Sequence, residues 1–279
     1  MNICIFTVIK DERDYLDDFL RYHTGMGLHI FVFEDLFSVS HKDICDRYED
    51  AEVHSVMELY DPEEHDALID RRTRHVPPQT EYINRGLKFV HSLGKYDWCW
   101  LIDIDEYITS SRPLELLLTE FEDYDAVSVY WMNFGCSGDI YKPIYVGPIY
   151  EIYDERCGYE LFSDRKKNNI TKFCVNMHHW NHEQVWKSHN ARTNWIKVDG
   201  TKDHAKEVFD PLYLRHYITK SFEEYCIKVY RRGMFHPTHR SLQSFFEMQP
   251  QYRQKIIEDD RLHDYIMDSL GIDIRSSIT

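Results

Sequence analysis

The chain has 279 residues, of which 43% are hydrophobic and 15% aromatic, so it can bury the core of one large domain or two small ones. Its 48 acidic and 33 basic residues give a net charge of -15, which disfavours binding to nucleic acid and to anionic lipid surfaces. No run of about 18 uncharged apolar residues occurs, and the apolar run at the N-terminus is short and soon followed by charge. We therefore expect a cytoplasmic protein without a transmembrane segment. The seven cysteines include no Cys-x-x-Cys pair, which argues against a disulfide framework and against a thiolate zinc site.

The first half of the chain alternates between strand and helix patterns. Continuous apolar, β-branched runs predict strands over Asn2 to Ile9, His29 to Asp35 and Glu52 to Met57. Apolar residues at helical spacing predict one helix from Asp11 to Gly25 or Gly27, and a second one that ends at Gly94. This order predicts an α/β fold with a mostly parallel, doubly wound sheet flanked by helices, because parallel strands need crossover helices.

The second half is less regular. A short core helix is expected over Arg112 to Phe121. Alternation from Pro211 predicts a strand, and Ser221 with Glu224 forms a capping box that opens another helix. The tail from residue 241 has an amphipathic helical pattern that is broken at Pro250.

The segment WCWLIDIDEYI, residues 98–108, is an apolar strand pattern that ends in acids. If the strand continued, side chains would alternate, and Asp103 and Asp105 would share one face. Two carboxylates in a partly dry cleft repel each other by a few kcal/mol at an effective dielectric constant of about 20, so a cation between them is favoured. Hard oxygen ligands indicate Mg²⁺ or Mn²⁺. The alternative is that Asp103 caps the following loop while Asp105 and Glu106 are solvated.

Charged residues also follow the first two predicted strands. Lys10, Asp11 and Glu12 end the first, and Glu34 and Asp35 end the second. In open α/β sheets, ligands bind outside the carboxyl ends of parallel strands. We therefore expect these residues to lie at the same edge of the sheet as the acids of residues 103–105.

Several of these segments together resemble one family. They are IFTVIKDERDYLDDFLRYHTGMGLHIFVFED at residues 5–35, QTEYIN at 79–84, WCWLIDIDEYI at 98–108, WMNFGCSG at 131–138 and RHYITKSFEE at 215–224. Their order resembles the glycosyltransferases of the GT-A fold, in the family 2-like and family 92-like group. Those enzymes show Lys-(Asp/Asn)-Glu, Tyr-His before a glycine-rich turn, and Asp-x-Asp-Glu-(Phe/Tyr). The resemblance covers residues 3–233, and it departs from the family at FVFEDLFSVS, where paired Asp and then Ser-x-Asp are more usual.

The resemblance implies an enzyme, a hexosyl- or pentosyltransferase that moves a sugar from a nucleotide-diphosphate sugar to a hydroxyl of a saccharide acceptor. Uridine diphosphate is the favoured donor nucleotide, and Mn²⁺ or Mg²⁺ is the implied cofactor. The implied GT-A domain spans residues 1–240, with a nucleotide-binding half over about 1–110 and an acceptor half over about 111–240. Residues 241–279 are then a C-terminal helical extension, which could cover the acceptor side or form a homo-oligomer.

The resemblance also implies site residues. The metal ligands would be Asp103, Asp105 and His216. The alternatives are that Asp103 contacts the ribose or reaches the metal through water, and that His216 is structural. Donor contacts would come from the strand ends and the later basic segment, at Thr7, Lys10, Glu12, Glu34, Asp35, Gln79, Asp103 and Lys220. Arg231 and Arg232 are further candidates for the diphosphate. If the reaction inverts configuration, Asp139 or Glu223 would remove the proton of the acceptor.

Two other functions fit part of the pattern. Phosphatases of the haloacid dehalogenase type also carry Asp-x-Asp beside Mg²⁺, but their pair usually ends the first strand and is followed by Thr or Val. Here the pair comes later and is followed by Glu106. A non-catalytic, metal-dependent sugar-binding module would need neither Lys10 to Glu12 nor the acids at Glu34 and Asp35.

Overall fold

The structure is a computed structural model that describes residues 1–73, 79–143, 147–157, 171–187, 190–191, 193–201, 209–230 and 241–276. Within these residues, no helix is both long enough and apolar enough to cross a membrane. The chain divides into two compact units. Unit 1 comprises Met1–Trp131 and Asn169–Arg215, and unit 2 comprises Met132–Asn168 and His216–Thr279.

The strands are β1 (Ile3–Ile9), β2 (His29–Glu34), β3 (Ala51–Ser55), β4 (Trp98–Leu101), β5 (Glu106–Ser110), β6 (Ala126–Asn133), β7 (Thr171–Asn176), β8 (Trp186–Lys187), β9 (Asn190–Ala191), β10 (Trp195–Lys197) and β11 (Leu212–His216). The helices are α1 (Arg13–Thr24), α2 (Lys42–Cys45), α3 (His65–Thr73), α4 (Gln79–Ser92), α5 (Leu114–Thr119), α6 (Ile149–Ile152), α7 (Phe222–Tyr230), α8 (Leu242–Met248), α9 (Arg253–Ile257) and α10 (Asp260–Leu270). Short 3-10 helices cover Val56–Leu59, Pro62–Glu64 and Pro250–Tyr252.

The described strands other than β8 and β9 form one sheet. Its order is β3-β2-β1-β4-β7-β6-β11-β5, and β10 pairs beside β6. The pairs β3-β2, β2-β1 and β1-β4 are parallel, as predicted for the first half of the chain. β7 runs antiparallel to both β4 and β6 and makes the sheet mixed, although four of the six pairs with a described register in this sheet are parallel. The fold is therefore α/β with a mixed sheet.

Unit 1 packs α4 closely against the sheet. Tyr82, Leu87 and Val90 on one face of α4 are buried with Phe6 in one hydrophobic cluster. A Cβ atom on Gly86 would lie only 2.2 Å from the ring of Phe6, so glycine at this position permits the close approach. The predicted helical face of this segment is confirmed.

Unit 2 has its own core. The capping box of α7 is confirmed, because the Ser221 hydroxyl accepts from the Glu224 backbone N–H at 3.2 Å and the Glu224 carboxylate accepts from Ser221. The apolar faces of α8 and α10, including Phe245, Phe246 and Ile266, are buried in the same cluster as Phe222 of α7. The amphipathic pattern of the tail is thus satisfied within its own unit. The predicted boundary at residue 240 stays a prediction, because residues 231–240 lie outside the described part of the chain.

A buried histidine ties α1 to β5. His23 is fully buried, and its Nδ1 lies 2.9 Å from the carbonyl oxygen of Phe19 while its Nε2 accepts from the Ile108 backbone N–H at 3.3 Å. The carbonyl contact requires a proton on Nδ1, and Nε2 must be unprotonated to accept from Ile108, so the ring is neutral. Burial lowers the pKa of His23 to about 3, although the hydrogen bond to Phe19 opposes this shift.

We expect acid to destabilise unit 1 through His23. Its pKa is lowered in the folded state, so its contribution is fully present above the unfolded value of about 6.5 and is lost as the pH falls toward 3. Urea unfolding at pH 7 and pH 5 should show that the advantage of the wild type over His23→Gln falls by about 2 kcal/mol. Parallel pH profiles for the two proteins would contradict a neutral buried imidazole.

Candidate functional site

The acids of residues 103–106 lie in the connection between β4 and β5. β4 ends at Leu101 and β5 begins at Glu106, so Asp103 and Asp105 lie in a turn. The prediction that these two side chains share one face of a strand is therefore wrong. The turn closes on itself, because the Asp103 N–H donates to the Glu106 carboxylate and the Glu106 N–H donates to the Asp103 carbonyl, both at 3.0 Å. These hydrogen bonds satisfy the backbone groups that the extended strand would have paired.

A buried lysine completes this turn. The antiparallel register pairs Leu101 of β4 with Phe173 of β7, so the preceding residue, Lys172, lies just past the end of β4. The Lys172 Nζ is 2.6 Å from Asp103 Oδ2 and 3.3 Å from Glu106 Oε1. The side chain of Lys172 is 3% exposed and that of Glu106 is 0% exposed, so these charges interact out of water, while the side chain of Asp103 is 37% exposed.

Sequence reasoning missed Lys172, although a signal was present. The strand TKFCVN is buried throughout and otherwise carries no charge. A lysine in a buried strand needs a partner, since an unpaired ammonium in the interior is too costly to retain. Its amine also lies 5.7 Å from the ring centroid of Trp131, a further contact that suits a cation.

The electrostatics of the turn follow from burial. Burial raises the pKa of the Glu106 carboxyl well above its usual range; Lys172 opposes this shift, and the charges of Asp103 and Asp105 add to it. Burial would lower the pKa of Lys172, but Asp103 and Glu106 outweigh it, so that pKa is raised. Burial thus favours the neutral acid of Glu106, and a nearby cation would favour its ionised form.

Two buried acids of this turn could hold a metal ion together. Asp105 and Glu106 each offer one carboxylate oxygen, and these atoms lie within 4.8 Å of each other. His216, the other predicted ligand, is the last residue of β11, and its Nδ1 is 2.8 Å from Asn133 Oδ1. Carboxylate ligands bind Mg²⁺, Mn²⁺ and other divalent metals, so these two acids do not by themselves identify the metal. Asp103 is not in this group.

The residues predicted at the ends of β1 and β2 occupy different environments. Thr7 is 1% exposed, and its hydroxyl has no hydrogen-bond partner among the described residues. The register pairs Ile9 with Glu34, so the ends of the two strands are adjacent. Lys10 is half-buried, and Glu12 is the N-cap residue of α1, without a side-chain cap hydrogen bond.

The two acids after β2 are already engaged. The Glu34 carboxylate accepts from the His41 backbone N–H and lies 3.1 Å from the His41 Nδ1. Asp35 is 2% exposed, and its carboxylate accepts from the Tyr82 hydroxyl at 3.3 Å. Both carboxylates are therefore held in place by hydrogen bonds within the protein. Gln79 is the first residue of α4, and residues 74–78 before it lie outside the described part.

The remaining predicted residues belong to unit 2. Both oxygens of Glu223 accept hydrogen bonds, from the Lys142 N–H at 2.8 Å and from the Tyr265 hydroxyl at 2.7 Å. Burial raises the pKa of Asp139, while Lys255 opposes the shift. Lys220 is 8% exposed and has a positive φ of 54°. Arg231 and Arg232 lie outside the described residues. The functional roles of these residues stay predictions.

Comparisons with known proteins leave the family open. No protein-family model matches the chain, and no curated protein matches it. Among solved structures, the chain is similar to the bifunctional IspDF from Campylobacter jejuni, at 9% sequence identity and a TM-score of 0.35. The similar region covers 75% of this chain and 52% of that one, so the chain spans about half the length of that protein. A likeness of this size carries no argument about function.

We expect Lys172→Met to destabilise the protein by about 3 to 5 kcal/mol, because it leaves the fully buried Glu106 without its counter-ion. Urea unfolding at neutral pH measures this loss. The exposed Lys88 on α4 provides the matched control, and Lys88→Met should change the unfolding free energy by less than about 0.5 kcal/mol.

The double variant Lys172→Met with Glu106→Gln separates charge from packing. Removing both charges should recover at least half of the loss, since a neutral pair leaves no buried charge unpaired. A double variant as unstable as Lys172→Met alone would show that the lysine acts through its hydrocarbon chain.

Proposed function

We propose that the chain is a metal-dependent glycosyltransferase of the GT-A fold. It would transfer a sugar from a nucleotide-diphosphate sugar, with uridine diphosphate the first candidate, to a hydroxyl of a saccharide. The observation that carries this proposal is the turn after β4, where three acids and one buried ammonium lie together and two of the acids could share a cation. The order of the sequence motifs supplies the choice of a sugar transferase among enzymes that use such a cation.

The position of the turn supports a nucleotide ligand. β2, β1 and β4 are adjacent and parallel, so their carboxyl ends lie along one edge of the sheet. That edge is where ligands bind in open α/β sheets. Thr7 lies in β1, the central strand of these three, and the half-buried Lys10 follows its end. The Thr7 hydroxyl has no hydrogen-bond partner among the described residues. These two side chains provide a donor and a cation on the nucleotide side.

The chemical difficulty in glycosyl transfer is the leaving group. As the glycosidic bond breaks, positive charge develops on the sugar and negative charge on the departing diphosphate. A divalent ion held by Asp105 and Glu106, with His216 as the proposed third ligand, would act as a Lewis acid and neutralise that negative charge. The protein contributes by fixing these ligands, because the turn is closed by its own hydrogen bonds before any ligand arrives.

An acceptor hydroxyl must lose a proton if the configuration inverts. Asp139 is the better of the two candidates, since Glu223 uses both oxygens to hold Lys142 and Tyr265. The raised pKa of Asp139 also makes its carboxylate a stronger base than an ordinary surface aspartate. No observation specifically favours the phosphatase or the sugar-binding module.

Thermal unfolding with uridine diphosphate and Mn²⁺ tests this function. A ligand present at a hundred times its dissociation constant should add about 2.7 kcal/mol of stability, and this gain should need both components. Asp105→Asn should abolish the Mn²⁺-dependent part of this stabilisation, whereas Asp123→Asn, at an exposed position, should leave it unchanged. If no nucleoside diphosphate stabilises the folded wild type in the presence of Mn²⁺, or if Asp105→Asn responds as the wild type does, the proposal fails.

A further inference from the structure

The Lys172 ammonium bridges the two acids that flank Asp105. It contacts Asp103 on one side of the turn and Glu106 on the other, at 2.6 Å and 3.3 Å. Because Lys172 extends from the buried strand β7, both acids are fixed to the sheet by a side chain that comes from outside the turn. Asp105 lies between them in sequence and is 7% exposed, so it is confined by the same turn.

The ammonium lies closer to one of its two partners than to the other. It is 2.6 Å from Asp103 Oδ2 and 3.3 Å from Glu106 Oε1, so Asp103 is its closer counter-ion. The group of potential metal ligands contains Asp105 and Glu106 and omits Asp103. A divalent ion bound by Asp105 and Glu106 would thus leave the whole turn close to neutral, with the charge of Asp103 already balanced.

We propose that Lys172 is a positioning residue that holds Asp103 as its counter-ion, so that Asp103 is not a ligand of the metal. The lysine thereby selects Asp105 and Glu106 as the carboxylate ligands. The metal part of this inference rests on the proposed function, whereas the ion pair between Lys172 and Asp103 does not. It differs from the sequence-based expectation that places Asp103 among the metal ligands.

The inference makes opposite predictions for the two single variants. Lys172→Met removes a positive charge beside the ion, so Mn²⁺ should bind roughly tenfold more tightly. Asp103→Asn removes a negative charge and leaves the ammonium unbalanced, so Mn²⁺ should bind roughly tenfold more weakly. The double variant removes a neutral pair and should bind Mn²⁺ within about threefold of the wild type, as should Lys172→Arg, which keeps the charge.

The experiment is a Mn²⁺ titration of the full chain, read from the electron paramagnetic resonance signal of free Mn²⁺. Wild type, Asp103→Asn, Lys172→Met, Lys172→Arg and the double variant are compared, and Asp105→Asn serves as the positive control for loss of a ligand. If the double variant loses more than tenfold in affinity, Asp103 is a metal ligand and the inference is overturned. If Lys172→Met weakens Mn²⁺ binding as Asp103→Asn does, the lysine is merely structural.

Melting temperatures without metal test the ion pair by itself. The double variant should lose less than the sum of the two single losses, and additive losses would overturn the pairing. Should Lys172→Met not fold, the double variant and Lys172→Arg decide the Mn²⁺ arm, and a double variant that folds where Lys172→Met does not establishes the pair. A wild type that binds no Mn²⁺ overturns the proposed function and the choice of ligands together, but a non-additive melting result would still establish the pair.

Discussion

The ion pair between Lys172 of β7 and the acids of the β4-β5 turn is the constraint on which the candidate site depends. Glu106 is fully buried, and an ionised carboxylate in that position is retained only with a counter-charge. The antiparallel pairing of β7 with β4 places the ammonium where it can contact both Glu106 and Asp103. The same strand that makes the sheet mixed therefore supplies the charge that stabilises the turn. The local structure, the sheet topology and the electrostatics are thus linked through one side chain.

Periodicity predicted the first strands and helix well, because each of them buries apolar residues at regular spacing. The strand β1, the helix α1 and the strand β2 match the expected segments, with α1 ending before Gly25 and Gly27 in a turn where Gly27 has a φ of 77°. The mixed character of the sheet was not accessible in this way. It depends on which strand pairs with which, and alternation within a segment carries no information about its partner.

The sequence predicted that the acids follow a buried strand, but it predicted neither the turn that holds them nor the lysine that contacts them. The apolar run and the acids that follow it indicated the end of β4 as the place for a cation. The turn over residues 102–105 was missed, since an apolar residue between two acids fits a strand as well as a turn. Lys172 was missed because its partner Asp103 lies 69 residues away in sequence. The engagement of Glu34 by His41 likewise depends on a loop that no motif describes.

The most direct test of the account is a crystal structure of the chain with Mn²⁺ and uridine diphosphate, with the metal located by its anomalous scattering. The account predicts one Mn²⁺ peak within about 2.3 Å of a carboxylate oxygen of Asp105, with Lys172 still bound to Asp103 and the diphosphate on the open side of the ion. A peak coordinated by Asp103 with Lys172 displaced, or no peak at the turn when the nucleotide is bound, would contradict it.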